Sequence, residues 1–257
     1  MTSAARLRWP AAGAAVPVAG AAVAAAAYWF LMSPYSQALG PFPYRGARPD
    51  KVVALTFDDG PNEPYTSQLA DFLAQRQIRA TFFQVGRAVL RHPEVSRRLL
   101  ADGHVIGNHS FTHEFTNCLS PRAVAEEVRL GQEALATIGL SPALYRPPWL
   151  LRIPALRGVL ADYGLQAVSG EFCHPLEVFQ PRAQLIADRV LAKARPNSIV
   201  IFHDGYDGHA GNRACTVAAV EIVVDRLSRD GYRFVTVDEL LGVPAYQQQE
   251  PALRAVG

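Results

Sequence analysis

The sequence predicts an α/β protein in which a domain of parallel strands and crossover helices follows an apolar N-terminal helix. Short apolar runs rich in β-branched residues alternate with longer helical stretches, which is typical of a parallel sheet. Seven such runs fit in about 190 residues, which favours closure of the sheet as a barrel. The chain has 257 residues, of which 49% are hydrophobic. It can therefore bury a sizeable core, and disorder is excluded as its main state.

The N-terminal block predicts a membrane-spanning helix. Residues 11–32 contain no charged side chain, and Arg6 and Arg8 precede them. A helix needs roughly 20 apolar residues to cross a bilayer, and the flanking arginines place the N-terminus in the cytoplasm. Tyr28 and Trp29, near the far end of the block, suit a membrane interface.

Two fates of this block are compatible with the sequence. We expect residues 1–32 to be a retained signal anchor, but A-x-A sequences within them also allow a cleaved, secreted form. Both alternatives place the remainder outside the cytoplasm. Residues 33–50 are rich in proline and glycine and are expected to form a linker. Residues 51–243 form the predicted catalytic domain, and residues 244–257 are a tail without a clear pattern.

Charge and glycine spacing exclude two classes of partner. The net charge of +2 is too balanced for a nucleic-acid-binding protein. The glycine-rich stretch at residues 205–211 lacks the spacing of a P-loop, so we expect no nucleotide.

Strands and helices alternate through the predicted domain. The predicted strands are 52–57, 80–85, 104–107, 143–146, 165–169, 198–202 and 233–237. The predicted helices are 65–77, 92–102, 121–138, 153–163, 182–195 and 215–230. Ser120 can cap the third helix, and Pro121 fits its first position. Because the carboxyl ends of parallel strands meet on one face, polar residues that follow these strands should gather there.

Two strand ends carry residues suited to metal chemistry. Asp58 and Asp59 end the first predicted strand, and adjacent carboxylates point in different directions, so one can bind a cation while the other acts as a base. His109 and His113 follow the third strand at a spacing that places both rings on one side of a helical turn. Two neutral histidines and one carboxylate suit zinc and leave a position open for water or substrate.

Two further strand ends supply polar and aromatic residues. Arg146 follows the fourth strand and can hold a carboxylate by forked hydrogen bonds. Pro147 and Trp149 come next, in a loop stiffened by proline that could form a wall against a sugar. His203 ends the sixth strand and can act as an acid or a base. Together the four strand ends indicate a mononuclear metal hydrolase.

The runs TFDDGP at 56–61 and HSFTH at 109–113 closely resemble the first two motifs of the polysaccharide deacetylase family, the NodB-homology domain of carbohydrate esterase family 4. The resemblance covers roughly residues 50–243. It implies a distorted (β/α)7 barrel of the NodB type. It also implies one divalent metal, with zinc expected and cobalt, nickel or manganese as alternatives, whose ligands are Asp59, His109 and His113.

The same resemblance implies roles in amide hydrolysis. Asp58 would be the base that takes a proton from the attacking water, and Arg146 would orient it. His203 would be the acid that protonates the leaving amine. The backbone N–H near Trp149 would help to stabilise the oxyanion, and Ile201 would line the pocket for the acetyl methyl group.

Two motifs depart from the family pattern. Leu150 stands where the third motif normally has glycine. Residues 170–178 replace the fourth motif and contain neither its aspartates nor its tryptophan. By position, Glu177 best matches the carboxylate that orients the catalytic histidine, and Glu171 is the alternative.

The resemblance implies removal of N-acetyl groups from an N-acetylhexosamine glycan at the cell surface, of the peptidoglycan, poly-N-acetylglucosamine or chitin type. One alternative is an O-acetyl esterase acting on xylan or another acetylated glycan, because an alkoxide leaves with less help from an acid. The alternative from another class is a non-catalytic, membrane-tethered glycan-binding domain.

Overall fold

The computed structural model describes residues 15–172 and 176–248. Its strands are β1 Val52–Asp58, β2 Thr81–Gln84, β3 Val105–Asn108, β4 Leu144–Tyr145, β5 Gln166–Ala167, β6 Glu171–Phe172, β7 Ile199–His203 and β8 Arg233–Phe234. Its α-helices are α1 Ala15–Met32, α2 Tyr65–Gln75, α3 Gly86–Arg91, α4 Pro93–Ala101, α5 Pro121–Ala136, α6 Leu156–Asp162, α7 Ala183–Lys193, α8 Ala214–Arg229 and α9 Val237–Leu241. Short 3-10 turns occur at Phe115–Cys118, Pro148–Leu150 and Glu177–Phe179.

Strand β1 lies at the centre of a parallel sheet. The strand order is β5-β4-β3-β2-β1-β7-β6, and β8 pairs with the start of β1. Asp58 pairs in register with Phe83 of β2 and with His203 of β7. Gln84 pairs in turn with Asn108, the last residue of β3. The carboxyl ends of β1, β3 and β7 therefore meet at one edge of the sheet.

Strand β1 is apolar along most of its length because the core covers both of its faces. All seven of its residues are buried, as expected for a strand that is covered on both faces. The ring of Phe57 stacks on Phe82 of β2 and Phe202 of β7, with centroids 4.8 and 5.9 Å apart. Helices α7 and α8 pack against one another and bury apolar faces in the same cluster. A rigid central strand thus carries the first carboxylates of the site.

The predicted parallel α/β fold is confirmed, and each of the seven predicted strand runs overlaps an observed strand. Strand β6 was not predicted, because its two residues lie between Gly170 and the run Cys173-His174-Pro175 and belong to no apolar run. Helices α3 and α9 were also missed because they have only six and five residues. A signal for α9 was nevertheless present, since Thr236 and Glu239 form a capping box at its start.

The predicted membrane span falls only partly within the described residues. Helix α1, Ala15–Met32, covers all but the first four residues of the predicted span 11–32, and residues 1–14 lie outside the described ranges. In residues 15–172 and 176–248, no helix combines the length and the apolar character required to cross a membrane. Of the predicted tail, residues 244–248 are described, and Tyr246 forms an antiparallel bridge with Pro142.

The segment of residues 33–50, expected to be a linker, lies against the domain. The guanidinium of Arg152 donates to the carbonyl oxygens of Ser33 and Ser36 at 2.9 and 2.7 Å. The backbone N–H of Arg152 donates to the carbonyl of Leu31 at 2.9 Å. Because Arg152 is itself buried, these bonds fix the end of α1 and the residues after it onto the domain.

Candidate active site

The chemistry-bearing residues lie at the carboxyl edge of the sheet. Asp58 ends β1 and His203 ends β7, and the two are paired in register. Asp59 follows with a φ of 77°, a left-handed conformation that is uncommon for a residue with a side chain. The turn gives the two neighbouring carboxylates separate sets of partners.

Asp58 is held by a fully buried arginine. Nη1 of Arg146 donates to Oδ1 of Asp58 at 2.6 Å and to Oγ1 of Thr56 at 2.7 Å. Nη2 of Arg146 donates to the carbonyl of Ser169 at 2.8 Å, and its guanidinium carbon lies 4.1 Å from the centre of the Phe83 ring. Buried charges require a partner, so the ion pair compensates both residues and fixes Asp58 in position.

Asp59, His109 and His113 form a buried cluster. One ligand atom from each residue lies within 4.8 Å of the other two. Oδ1 of Asp59 is 3.3 Å from Nε2 of His109 and 3.2 Å from Nε2 of His113. The three residues are at most 5% exposed.

The outer ring nitrogens show which atoms face the centre of this cluster. Nδ1 of His109 lies 2.7 Å from the carbonyl oxygen of Arg146, and Nδ1 of His113 lies 3.0 Å from Oδ1 of Asp207. Both neighbours are acceptors, so the ring hydrogens belong on the two Nδ1 atoms and the lone pairs of both Nε2 atoms face Asp59.

A divalent metal fits this arrangement. Oδ1 of Asp59 is buried and has no hydrogen-bond partner among the described residues. Three lone-pair atoms that face one another without a hydrogen repel, and a cation between them removes the repulsion. Two imidazole nitrogens and one carboxylate oxygen are also a donor set that suits zinc and leaves room for a further ligand.

The electrostatics of Asp59 agree with a ligand role. Burial raises its pKa, but in the absence of a cation the charges of protonated His113, His109 and His203 outweigh burial and lower the pKa below its ordinary value. A cation that replaced the protons of the two ligand histidines would act in the same direction. The carboxylate is therefore ionised at neutral pH and can coordinate a cation.

Asp207 was missed in the sequence, although it contacts two members of the cluster. Besides its carboxylate contact with His113, its backbone N–H donates to Oδ2 of Asp59 at 3.1 Å. Arg87 in turn donates to the carbonyl oxygen of Asp207. The sequence position of Asp207 could have indicated this role, because the residue lies in the glycine-rich loop four residues after His203.

Glu127 on α5 supports the loop that carries the two histidines, and it too was missed. Its Oε2 accepts hydrogen bonds from the backbone N–H groups of Phe111 and Thr112 at 2.9 and 2.7 Å. Its Oε1 accepts from Oγ1 of Thr112 at 2.7 Å and Nδ2 of Asn117 at 2.9 Å. A glutamate on the buried face of an amphipathic helix, next to Val128, was the signal for this role.

His203 is paired with one of the two candidate glutamates. Its Nδ1 lies 2.6 Å from Oε2 of Glu177, and the hydroxyl of Thr216 donates to the other oxygen of Glu177. Glu171 accepts a hydrogen bond from Ser198 at 2.9 Å. Burial lowers the pKa of His203, but the charge and hydrogen bond of Glu177 outweigh burial and raise it to about 9. Residues 173–175, also part of the replaced fourth motif, lie outside the described ranges.

A cavity of about 410 Å³ opens over these groups. Its lining includes Pro147 and Trp149, two of the three residues expected to contact substrate, and the Trp149 ring lies 4.3 Å from the His113 ring between centroids. The lining also includes Tyr28 and Met32 of α1, which the sequence did not indicate.

Ile201, also expected to contact substrate, lies two residues before His203 on β7, which places it about 7 Å deeper along the strand. There it packs with Phe42 and Leu150 in a small apolar cluster. Leu150, which has a φ of 56°, borders the cavity. The contact of Ile201 with the acetyl methyl group stays a prediction.

Comparison with known proteins places this site in a family. A family model for polysaccharide deacetylase matches residues 45–168. A peptidoglycan-N-acetylglucosamine deacetylase of Bacillus cereus is 35% identical over 193 residues, which cover 75% of this chain and 89% of that protein. The chain belongs to the polysaccharide deacetylase family.

Other polysaccharide deacetylases match over a similar extent. A chitooligosaccharide deacetylase of Bradyrhizobium sp. is 34% identical over 199 residues, covering 74% of this chain and 90% of that protein. The structure of the chitin deacetylase from the fungal pathogen Colletotrichum lindemuthianum has a TM-score of 0.72 and 30% identity, and covers 83% of this chain and 98% of that one. The predicted family is therefore confirmed, and so is the prediction that the chain is an enzyme, a polysaccharide deacetylase.

Proposed function

We propose that this polysaccharide deacetylase hydrolyses the N-acetyl groups of an N-acetylhexosamine glycan and depends on a metal. One observation carries the proposal. Asp58, held by Arg146, and His203, held by Glu177, are paired at adjacent strand ends beside the cluster of Asp59 and the two histidines. A base and an acid thus lie on either side of a position where an acetyl carbonyl can react.

Asp59, His109 and His113 would hold the metal, which we propose to be zinc. When bound, a divalent cation polarises the acetyl carbonyl and makes water a stronger nucleophile at neutral pH. The chain contributes the placement of the three donors, since Nδ1 of His109 and Oδ2 of Asp59 have hydrogen-bond partners and Nδ1 of His113 lies 3.0 Å from Oδ1 of Asp207.

Asp58 acts as the base. One of its oxygens accepts from Arg146, so the other can accept the proton of the attacking water. Because Arg146 is locked by Thr56 and Ser169 as well, Asp58 keeps its orientation while the proton moves.

His203 acts as the acid. With Nδ1 directed at Glu177, Nε2 is the atom that can donate a proton to the leaving nitrogen. An amine leaves only when protonated, whereas an alcohol leaves more readily without help. The intact pair of His203 and Glu177 therefore favours amide hydrolysis over ester hydrolysis.

The substrate that we propose is a glycan of the peptidoglycan, poly-N-acetylglucosamine or chitin type. The support comes from the relatives, which are called peptidoglycan-N-acetylglucosamine and chitooligosaccharide deacetylases. The half-buried aromatic wall at Trp149 suits the apolar face of a sugar ring.

We further propose that the N-terminal segment inserts in a membrane and that the domain works outside the cytoplasm. The uncharged run of residues 11–32 behind Arg6 and Arg8 supports this. Cell fractionation combined with N-terminal sequencing of the mature protein tests it. A mature N-terminus beyond Met32 would establish cleavage and secretion, and a full-length protein in the soluble cytoplasmic fraction would contradict both forms.

Metal analysis combined with acetate release tests the catalytic proposal. The purified full chain is assayed on chitin oligomers, peptidoglycan fragments and acetylated xylan, before and after chelation. We expect about one divalent ion per chain and acetate release only from N-acetylated glycans. Release from acetylated xylan alone would establish the esterase alternative, and metal-independent release would contradict the mechanism.

A further inference from the structure

We propose that the last turn of helix α1 forms a sugar-binding subsite of the catalytic cleft, in which Tyr28 stacks on a hexosamine ring next to the reacting one. The inference rests on the proposed glycan substrate and extends it. It assigns a binding role to a helix that the sequence indicates only as an anchor.

The end of helix α1 lies beside the reacting centre. Tyr28 and Met32 are one helical turn apart and line the same cavity as Asp58 and Trp149. The helix packs against the turn Pro148–Leu150, which carries Trp149. The end of α1 therefore extends the wall that begins at the reacting centre.

Hydrogen bonds hold this wall of the cleft in place. The buried side chain of Arg152 and its backbone N–H bind carbonyl oxygens at the end of α1 and just beyond, at Leu31, Ser33 and Ser36. The N–H of Ser33 also donates to the carbonyl of Tyr28 at 3.0 Å. A subsite needs such fixed walls, because ordering a mobile element would reduce the binding free energy.

The exposed side chain of Tyr28 has the chemistry of a sugar-binding residue. Tyr28 is 58% exposed although it borders the cavity. An aromatic ring in this setting can cover the C–H face of a sugar while the sugar hydroxyls and its own O–H remain in water. Met32 supplies an adaptable apolar surface beside it. The subsite therefore fits a neutral pyranose ring of the same glycan chain.

The test compares Tyr28→Ala with Trp29→Ala, the adjacent and equally aromatic residue that does not line the cavity and is 56% exposed. Both are full-length, metal-loaded proteins in the same detergent, assayed for acetate release from monomeric N-acetylglucosamine and from a longer chitin oligomer. We expect Tyr28→Ala to raise KM for the longer oligomer about three- to tenfold with kcat retained. The values for the monosaccharide, which has no neighbouring ring, should not change. Trp29→Ala should match the wild type, and Tyr28→Phe should keep the low KM.

The outcomes separate this inference from the proposed function. If the wild type releases no acetate from any N-acetylated glycan, the proposed function fails, and calorimetric binding of the same oligomers to the same variants still decides the subsite. Equal KM or binding in Tyr28→Ala, Trp29→Ala and wild type overturns the inference. A loss of vesicle association in Tyr28→Ala with unchanged oligomer binding also overturns it and assigns the residue to the lipid surface.

Discussion

Oε2 of Glu177 lies 2.6 Å from Nδ1 of His203, although the two residues come from a 3-10 turn and from strand β7. The turn belongs to the stretch that replaces the fourth family motif. A glutamate thus supplies the carboxylate for which the motif normally has aspartate. Its second oxygen is bound by Thr216, so the carboxylate is fixed at both ends.

The first prediction concerns the pH profile of the variant Glu177→Gln. The pKa of His203 is raised to about 9 by Glu177, and an acid catalyst is active only below its pKa. Activity should therefore fall as the pH rises through the pKa of His203. Removing the charge of Glu177 lowers that pKa, so the alkaline limb of kcat/KM should move to lower pH. Glu171→Gln is the matched control, and the same displacement in both variants would disprove the assignment.

The second prediction concerns the base. Asp58→Asn keeps the shape of the side chain but removes its ability to accept a proton, so acetate release should fall at least about 100-fold. Metal content should remain that of the wild type, because Asp59 and the two histidines are intact. Asp162→Asn, an exposed change on α6, controls for the general effect of losing a carboxylate. Near-normal acetate release from Asp58→Asn would refute the mechanism.

The third prediction concerns Asp207. Its carboxylate orients His113, and removing such a partner usually weakens metal binding about 10- to 100-fold. We expect Asp207→Ala to raise the dissociation constant of zinc in a competition titration, with a smaller effect for Asp207→Asn. Glu114→Ala removes a nearby exposed carboxylate, whose partner is Arg87. An equal affinity in Asp207→Ala and Glu114→Ala would exclude the positioning role.

The fourth prediction concerns the arginine beneath the N-terminal segment. Arg152→Met leaves the carbonyl oxygens of Ser33 and Ser36 without their buried donor, which should lower the free energy of unfolding by about 2 to 4 kcal/mol. Urea denaturation measures the loss, and limited proteolysis should cut the segment faster. Arg157→Met, an exposed arginine on α6, should change stability by less than about 0.5 kcal/mol. A stability equal to that of the control would mean that the segment is held by other contacts.

The sequence allowed the fold class and most of the site to be predicted because both depend on local signals. Apolar runs of β1 and β7 mark buried strands, and the residues directly after them reach one edge by the geometry of parallel sheets. Asp58, Asp59 and His203 were therefore placed without any knowledge of long-range contacts.

Contacts between distant segments could not be predicted in the same way. By position in the sequence Glu177 is favoured over Glu171, but only the packing of the 3-10 turn against β7 shows which carboxylate contacts His203. Asp207 contacts the cluster although it lies 148 residues after Asp59 in the sequence. Sequence periodicity does not indicate contacts between residues so far apart. The contact of Ile201 with the acetyl methyl group stays a prediction, because the depth of a residue along its strand depends on the segments that cover it.

The apolar cluster of Phe42, Leu150 and Ile201 has a consequence for where the protein can be cut. Leu150 stands in place of a glycine at a φ of 56°, a conformation that costs a non-glycine residue about 1 to 3 kcal/mol. Burial of its side chain against Phe42 offsets that cost. Phe42 precedes the family match, which begins at residue 45. A truncated protein that starts at the match would lack Phe42 and leave that side of Leu150 uncovered, so we expect truncations that begin upstream of Phe42 to be the more stable ones.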